Sequence, residues 1–356
     1  MARFLPLTVR EVRRETRDAV ALTLEPRPED AGAFAFRHGQ YLTFRRDFDG
    51  QEVRRSYSIC AGAGERLRVG VKRVDGGAFS TWANEALKPG DVLEAMPPMG
   101  GFTAALDPAQ ARHYLLFAAG SGITPVLGIL RTVLAQEPKA TATLVYGNRS
   151  AASIMFREEL EDLKNLHLGR LSVLHVLSGE GQDAELFSGR IDAAKCAQLF
   201  DRWIDVPSAD LAFVCGPEAM MLAVQGALRE HGMAPEKIRV ELFAAGQQGR
   251  APRKAAAATA AGGACVQASV TLDGATRAIE IARDGQSILD AALAANIDAP
   301  YACKAGVCST CRALVLEGET EMAANYALED YEVRRGYVLT CQARPLSDRV
   351  VVSYDQ

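Results

Sequence analysis

The stretch from Tyr114 to Pro125 reads YLLFAAGSGITP. An unbroken apolar run suits a strand buried on both faces, and this one stops at Gly120-Ser121-Gly122, where a helix opens near Pro125. Glycines there let the backbone approach a phosphate, and the positive end of the helix dipole favours negative charge. The turn lacks the G-x-G-x-x-G spacing, so its place between strand and helix carries the reading. Downstream the alternation continues with ATLVYG from Ala142, the helix FREELEDLKNL from Phe156, strands LSVLHVL from Leu171 and LAFVCG from Leu211, and a helix from Glu218. Repeated β-α alternation predicts a parallel, doubly wound α/β sheet.

On the N-terminal side the pattern changes to short alternating runs between glycines and prolines: Ala19 to Leu24, Tyr41 to Phe44, Tyr57 to Ala61 and Leu67 to Val74. These predict an antiparallel β-barrel or sandwich. On the C-terminal side, AAGQQGRAPRKAAAATAAGGAC loses all apolar periodicity and reads as a linker. Beyond it, VQASVTLDGATRAIEIA predicts a hairpin turning at Asp273 and Gly274, followed by a helix over SILDAALAANI and a last strand RVVVSY. A small α+β domain fits that order. The chain therefore divides into a multidomain arrangement of 1–107, 108–243, a linker at 244–265, and 266–356.

Cys303, Cys308 and Cys311 stand as C-x4-C-x2-C, with Cys341 after 29 intervening residues. This is the plant-type spacing for four thiolates on one 2Fe-2S cluster. Thiolates are soft ligands suited to iron, and a tight loop lets backbone N-H groups face the cluster's sulfides. Ala305 and Gly306 keep the loop small, and Ser309 and Thr310 add donors. Structural zinc sites pair Cys knuckles on both halves, whereas Cys341 stands alone. Cys60, Cys196 and Cys265 lack such spacing and read as small hydrophobes.

Two further stretches offer groups for a phosphorylated ring system. Arg55-Ser56-Tyr57-Ser58 supplies a cation, an aromatic face and hydroxyls, while Gly76-Gly77-Ala78-Phe79-Ser80-Thr81 is a glycine turn opening a helix whose free N-H groups suit a pyrophosphate. Cys215-Gly216-Pro217 ends a strand at the carboxyl edge, where doubly wound sheets bind ligands. Asn148 and Arg149 follow the strand from Ala142, at the place for an adenosine ribose. No acid ends that strand, while Arg149, with Arg157 nearby, offers charge to a 2′-phosphate, which favours NADPH over NADH.

In order along the chain, R-x-Y-S, the glycine-Ser turn, GSGITP and C-G-P resemble the ferredoxin-NADP reductase superfamily. The resemblance implies that Arg55 pairs with the phosphate of FAD, Tyr57 stacks on its ring, and Ser58 approaches the reacting nitrogen. It also implies that Gly77, Phe79, Ser80 and Thr81 hold the pyrophosphate, and that Gly120, Gly122, Thr124, Cys215, Gly216 and Pro217 receive the nicotinamide nucleotide. Glu241 and Phe243 are implied to close over the flavin, with Ser58 and Cys215 at the reacting atoms. The C-terminal module is implied to be a β-grasp ferredoxin.

A flavin barrel, a nicotinamide domain and a C-terminal ferredoxin, in this order, resemble reductase components of bacterial oxygenases. The phrases YGNRSAASIMFREELEDLKN, PYACKAGVCSTC and AANYALEDYEVRRGYVLTCQA are most similar to the reductase family of phenylacetyl-CoA epoxidase systems. That resemblance implies a di-iron oxygenase component as electron acceptor. The reductase of another multicomponent mono- or dioxygenase, a ferredoxin carrier with inactive leading domains, and a redox sensor are the competing readings; the carrier predicts no flavin, and the sensor needs an output module that the sequence does not show. A formal charge of -4 gives no reason to expect nucleic-acid binding. No stretch of about 18 apolar residues suggests a membrane span, and the N-terminus shows no apolar leader, so a cytoplasmic location is expected.

Overall fold

The computed structural model describes residues 4–181, 184–242, 265–283 and 285–355. Its contacts form two compact units. The larger holds Leu5–Leu42 and the described chain from Tyr57 to Leu242; the smaller holds Phe4, Thr43–Ser56 and the described chain from Cys265 onward.

Six antiparallel strands, β1 (Leu5–Thr16), β2 (Ala19–Pro26), β3 (Tyr41–Phe48), β4 (Gln51–Ser58), β5 (Arg68–Lys72) and β6 (Val92–Ala95), run in the order β4-β3-β6-β1-β2-β5. An antiparallel bridge between Ile59, just past β4, and Val69 of β5 brings the ends of this sheet together, as a barrel requires. Helix α1 (Ala78–Glu85) follows β5. The charged string LTVREVRRET conceals β1, because its buried apolar residues are confined to Leu5, Leu7 and Val9 while its second half is mostly polar. Of the run expected at Tyr57 to Ala61, only Tyr57 and Ser58 lie in the strand, as the end of a longer β4 that starts at Gln51. Its first half is polar, and the tight turn at Asp49 and Gly50, with φ of 53° and 81°, pairs it with β3.

The parallel sheet comprises β7 (His113–Ala119), β8 (Thr141–Asn148), β9 (Leu171–Leu177), β10 (Leu211–Gly216) and β11 (Ile238–Leu242) in the order β11-β10-β7-β8-β9. Helices α2 (Ile123–Gln136), α3 (Arg157–Leu166), α4 (Ala193–Arg202) and α5 (Glu218–Glu230) connect the strands. The order reverses beside β7, the switch point where such sheets leave a crevice at their carboxyl ends. Buried Ala19, Ala21 and Cys60 of the antiparallel part share one core with Tyr114, Leu116, Ile123 and Val126. The backbone comes very close there: a Cβ on Gly128 of α2 would lie 2.7 Å from the Ile59 carbonyl oxygen.

The smaller unit is built on β12 (Cys265–Leu272), β13 (Ala275–Ala282), β14 (Arg312–Glu317), β15 (Thr320–Met322), β16 (Tyr337–Leu339), β17 (Ala343–Pro345) and β18 (Arg349–Ser353), with helices α6 (Ile288–Ala294) and α7 (Asp330–Arg334). The main sheet runs β13-β12-β18-β14-β16, so the last strand lies in its middle, parallel to β12 and antiparallel to β14. The hairpin turns at Asp273 and Gly274, where the Asp355 carboxylate accepts from both amides at 2.7 Å. Ser287 caps α6 by accepting from the Asp290 amide. Among the described residues no helix is long and apolar enough to cross a membrane.

One carboxylate ties the elements of the larger unit. Glu159 of α3 accepts from Arg68 of β5 at 2.5 and 2.9 Å, from Arg131 of α2 at 2.7 Å and from Arg13 of β1 at 3.0 Å. Burial pushes this carboxyl up, but the hydrogen bond from Arg68 and the charges of Arg68 and Arg131 outweigh it and hold the group below its ordinary 4.5. A carboxyl depressed by folding stabilises the fold fully above its unfolded pKa and loses that contribution as pH falls through the folded value. The melting temperature should therefore fall as pH drops below about 4.5. Glu159→Gln should flatten that dependence while costing about 3 kcal/mol at neutral pH, measured by denaturant unfolding.

Candidate functional site

Strand β4 delivers Arg55, Ser56, Tyr57 and Ser58 in succession. The Arg55 guanidinium donates to the Arg54 carbonyl at 2.7 Å, and the Ser56 hydroxyl lies 3.0 Å from that of Thr43. The Tyr57 ring sits 5.5 Å from Phe79, which in turn meets Trp82 edge-on at 5.6 Å. Ser58 is 2% exposed, and its hydroxyl donates to the Glu241 carboxylate at 3.2 Å. Parallel pairing of β10 with β11 sets Cys215 directly beside Glu241. Ser58, Cys215 and Glu241, separated by up to 183 positions, thus converge.

Gly77 begins α1 with no side-chain cap, and the first-turn amides of Ala78 and Ser80 have no helical partners. The Ser80 hydroxyl faces inward, accepting from the Val74 amide at 3.1 Å and donating to the Gly77 carbonyl, so what this residue offers outward is its N-H. Thr81 follows on the first turn and donates its amide to the Gly77 carbonyl. The amides of Ala78 and Ser80 at this helix start fit a phosphate group.

In the parallel sheet, Gly120 has a φ of 53°, and a Cβ built on it would meet nothing within 4 Å, which leaves open space over the turn. The Tyr146 hydroxyl pins this turn by donating to the Gly120 carbonyl at 3.0 Å. A Cβ on Gly122 would come within 2.2 Å of the Cys215 carbonyl oxygen, so only glycine allows this approach to the end of β10. Thr124 is buried, with its hydroxyl donating to Ser121, and Gly216 and Pro217 lead from β10 into α5. Asn148 is 7% exposed, yet neither of its side-chain polar atoms makes a hydrogen bond. A buried, unpartnered amide at the carboxyl end of a parallel strand fits a nucleotide ligand. Arg149 and Arg157 are exposed. Phe243 lies outside the described residues.

In the smaller unit, Cys303, Cys308 and Cys311 occupy the loop before β14, and Cys341 follows β16. The Cys308 and Cys303 sulfurs are 3.1 Å apart, and Cys341 partners both Cys303 and Cys311. Lys304 and Gly306 adopt φ of 52° and 75°, which curl the loop so that the Ala305 amide donates to the Cys303 sulfur at 3.3 Å. Hydrogen bonds from Cys308 and Cys341 and from the Ala305 and Val307 amides hold the Cys303 thiol well below its ordinary value, although burial opposes them. Among the described residues no three His, Cys, Asp or Glu converge as a single ion requires. The four thiols form one contiguous set, Cys308 to Cys303, Cys303 to Cys341 and Cys341 to Cys311, which fits a two-iron group held by four thiolates.

Sequence reasoning missed the braces around this loop. Thr340 donates to the Cys311 carbonyl at 2.9 Å, Tyr354 donates to Thr340 at 2.8 Å, and Gln342 reaches the Lys304 carbonyl at 3.1 Å. Thr340 and Gln342 flank Cys341, the one signal available for them. Cys60 and Cys196 are buried, and burial pushes both thiols to about 12, as small hydrophobes behave, whereas Cys265, expected to be one of them, is exposed at the start of β12.

Comparison with known proteins gives the class. An oxidoreductase FAD-binding domain matches residues 6–104, an oxidoreductase NAD-binding domain residues 116–226, and a 2Fe-2S iron-sulfur cluster binding domain residues 270–346. The chain is an NAD(P)H-dependent oxidoreductase of three-domain layout. It is 44% identical to a component of the 1,2-phenylacetyl-CoA epoxidase of Escherichia coli (strain K12), over 100% of this chain and 99% of that protein. It is 35% identical to the ferredoxin reductase component of 3-ketosteroid-9-alpha-monooxygenase from Rhodococcus rhodochrous, over 99% of this chain and 97% of that one. The fold matches the crystal structure of phthalate dioxygenase reductase with a TM-score of 0.59 at 24% identity, covering 98% of both chains. The chain belongs to the family of oxygenase reductase components that carry flavin, nicotinamide and 2Fe-2S domains.

The Glu241 carboxyl supplies a test of the site's geometry. Burial pushes it to about 8, against a smaller opposing effect of the Ser58 hydrogen bond. Folding then holds it neutral where the unfolded chain ionises it, so its cost to stability appears above 4.5 and grows up to about 8. Glu241→Gln should raise the melting temperature at pH 8 and have little effect below pH 4.5, as thermal unfolding across that range will show.

Proposed function

We propose that the chain passes electrons from NADPH through FAD and a 2Fe-2S cluster to a di-iron oxygenase component, in service of phenylacetyl-CoA epoxidation during phenylacetate breakdown. The observation that carries this reading is the meeting of Ser58, Cys215 and Glu241 in a chain that also gathers four thiols at one loop. When bound, FAD and the cluster supply the conversion of a two-electron hydride into single electrons.

The protein's part is placement. Arg55 offers its guanidinium to the flavin phosphate, and the glycine turn and first helical turn from Gly77 to Thr81 receive the pyrophosphate, with the Ala78 and Ser80 amides as donors. Tyr57, backed by Phe79, presents its ring to the flavin. Ser58 holds its hydroxyl at the reacting nitrogen with Glu241 behind it, and Cys215, Gly216 and Pro217 form the bed for the nicotinamide. Ser56 steadies the strand through Thr43. Gly120, Gly122 and Thr124 shape the turn for the nucleotide's phosphates; Asn148 takes its ribose and Arg149 its 2′-phosphate. Phe243 is assigned to the flavin from sequence alone. Cys303, Cys308, Cys311 and Cys341 hold the irons. We assign 1–107, 108–243 and 266–356 to the flavin, nicotinamide and ferredoxin domains. None of the eight cysteines is in a disulfide, which suits a reducing compartment, and we place the activity in the cytoplasm.

The test is anaerobic titration followed by absorbance. NADPH should bleach the flavin and iron-sulfur bands of the purified protein at lower concentration than NADH, and a protein that carries no flavin would sink the reading. Cys308→Ala should lose the iron-sulfur band while still reducing ferricyanide with NADPH. Arg149→Ala should lower kcat/KM for NADPH about tenfold to a hundredfold, the value of a charge-assisted contact, while leaving NADH almost unchanged in steady-state assays.

A further inference from the structure

The hairpin formed by the end of β3 and the start of β4 belongs to the smaller unit, together with the cysteine loop. Its contact residue is Arg54, which is 5% exposed despite its charge. The guanidinium carbon lies 4.1 Å from the centroid of the Tyr301 ring and 5.0 Å from that of Phe4. Nε donates to Glu52 at 2.7 Å, Nη2 to Asp298 at 3.4 Å, and Nη1 is buried without a partner. Tyr301 stands two positions before Cys303 and carries a second cation, the Lys304 ammonium, at 4.8 Å. Lys304 is itself part of the cysteine loop and is anchored to Asp290 at 3.1 Å.

We propose that Arg54 is a positioning residue that latches the cysteine loop to the hairpin leading into Arg55-Ser56-Tyr57-Ser58, and so governs how fast electrons pass from flavin to cluster. The inference rests on the proposed function for its redox half. A buried cation offsets its desolvation only through its partners, and here both ring faces and the Asp298 carboxylate come from outside the hairpin. The carbonyl that receives Arg55 is the main chain of Arg54, so replacing the side chain leaves that hydrogen bond in place. The step it serves is balanced: NADPH delivers a hydride, the flavin's two electrons leave one at a time, each reduces one ferric iron to ferrous, the cluster discharges to a one-electron acceptor between transfers, and the remaining proton goes to solvent.

The experiment compares wild type with Arg54→Ala, Arg54→Lys, Tyr301→Leu and Tyr301→Phe by anaerobic stopped flow with NADPH. Arg54→Ala and Tyr301→Leu should slow flavin-to-cluster transfer and cytochrome c reduction about tenfold, the equilibrium shift expected from losing a desolvated cation-π contact. Flavin reduction by NADPH and ferricyanide turnover should be unchanged in Arg54→Ala. Tyr301→Phe, which keeps the ring, should match wild type, and Arg54→Lys should fall between. Hydrogen exchange supplies a reading independent of turnover: amides of Gln51 to Ser58 and of Asp298 to Lys304 should exchange faster in Arg54→Ala, with the cluster's EPR signal intact. Wild-type transfer rates or unchanged exchange in both Arg54→Ala and Tyr301→Leu would overturn the latch. A wild-type protein whose flavin NADPH does not reduce would remove the proposed function instead, and the exchange experiment would still decide whether the latch exists.

Discussion

A single carboxylate, Glu159, receives three guanidinium groups from three different elements, and the geometry of the larger unit hangs on it. Arg13 and Arg68 come from the antiparallel sheet and Arg131 from the first helix of the parallel one. Opposite charges that are partly buried lose little to screening, and each arginine approaches from a direction that a sliding of the two layers would disrupt. The site depends on that lock because Ser58 belongs to the antiparallel layer while Cys215 and Glu241 belong to the parallel one. Their convergence is a property of how the layers are joined, and neither layer contains it alone.

Glycine does the complementary work of letting the layers come close. Gly128 meets the carbonyl of Ile59 across the layers, and within the parallel layer Gly122 meets that of Cys215, at separations that no side chain permits. The same closeness appears at the cysteine loop, where a Cβ on Gly306 would stand 2.9 Å from the Ala324 carbonyl. Close backbone approach brings main-chain N-H groups within reach of whatever the crevice or loop holds, and it is these groups that bear fixed partial charge.

Much of this architecture is legible in the sequence, for identifiable reasons. Strands buried on both faces announce themselves as continuous apolar runs, so β7 through β10 can be read directly, and the cysteine spacing is local enough to be read as written. Strand β1 cannot, since its second half presents charge on both faces, and the polar first half of β4 is hidden for the same reason. The partnership of Ser58 with Glu241 is invisible as a contact because nothing local encodes a hydrogen bond across 183 positions. Tyr146, Thr340, Gln342 and Tyr354 support the sites through single hydrogen bonds to carbonyls, hydroxyls or sulfur, and such contacts leave no periodic trace.

The placement of β18 in the middle of its sheet has a consequence for how the protein is made. Until Arg349–Ser353 has left the ribosome, β12 and β14 have no shared neighbour and Tyr354 cannot brace Thr340 behind Cys341. During synthesis the sheet beside the four thiols is therefore complete only after translation has passed β18. A chain stalled before β18 would hold its thiols without that middle strand and without the Tyr354 brace, and thiols left unsupported are open to oxidants and to competing metals.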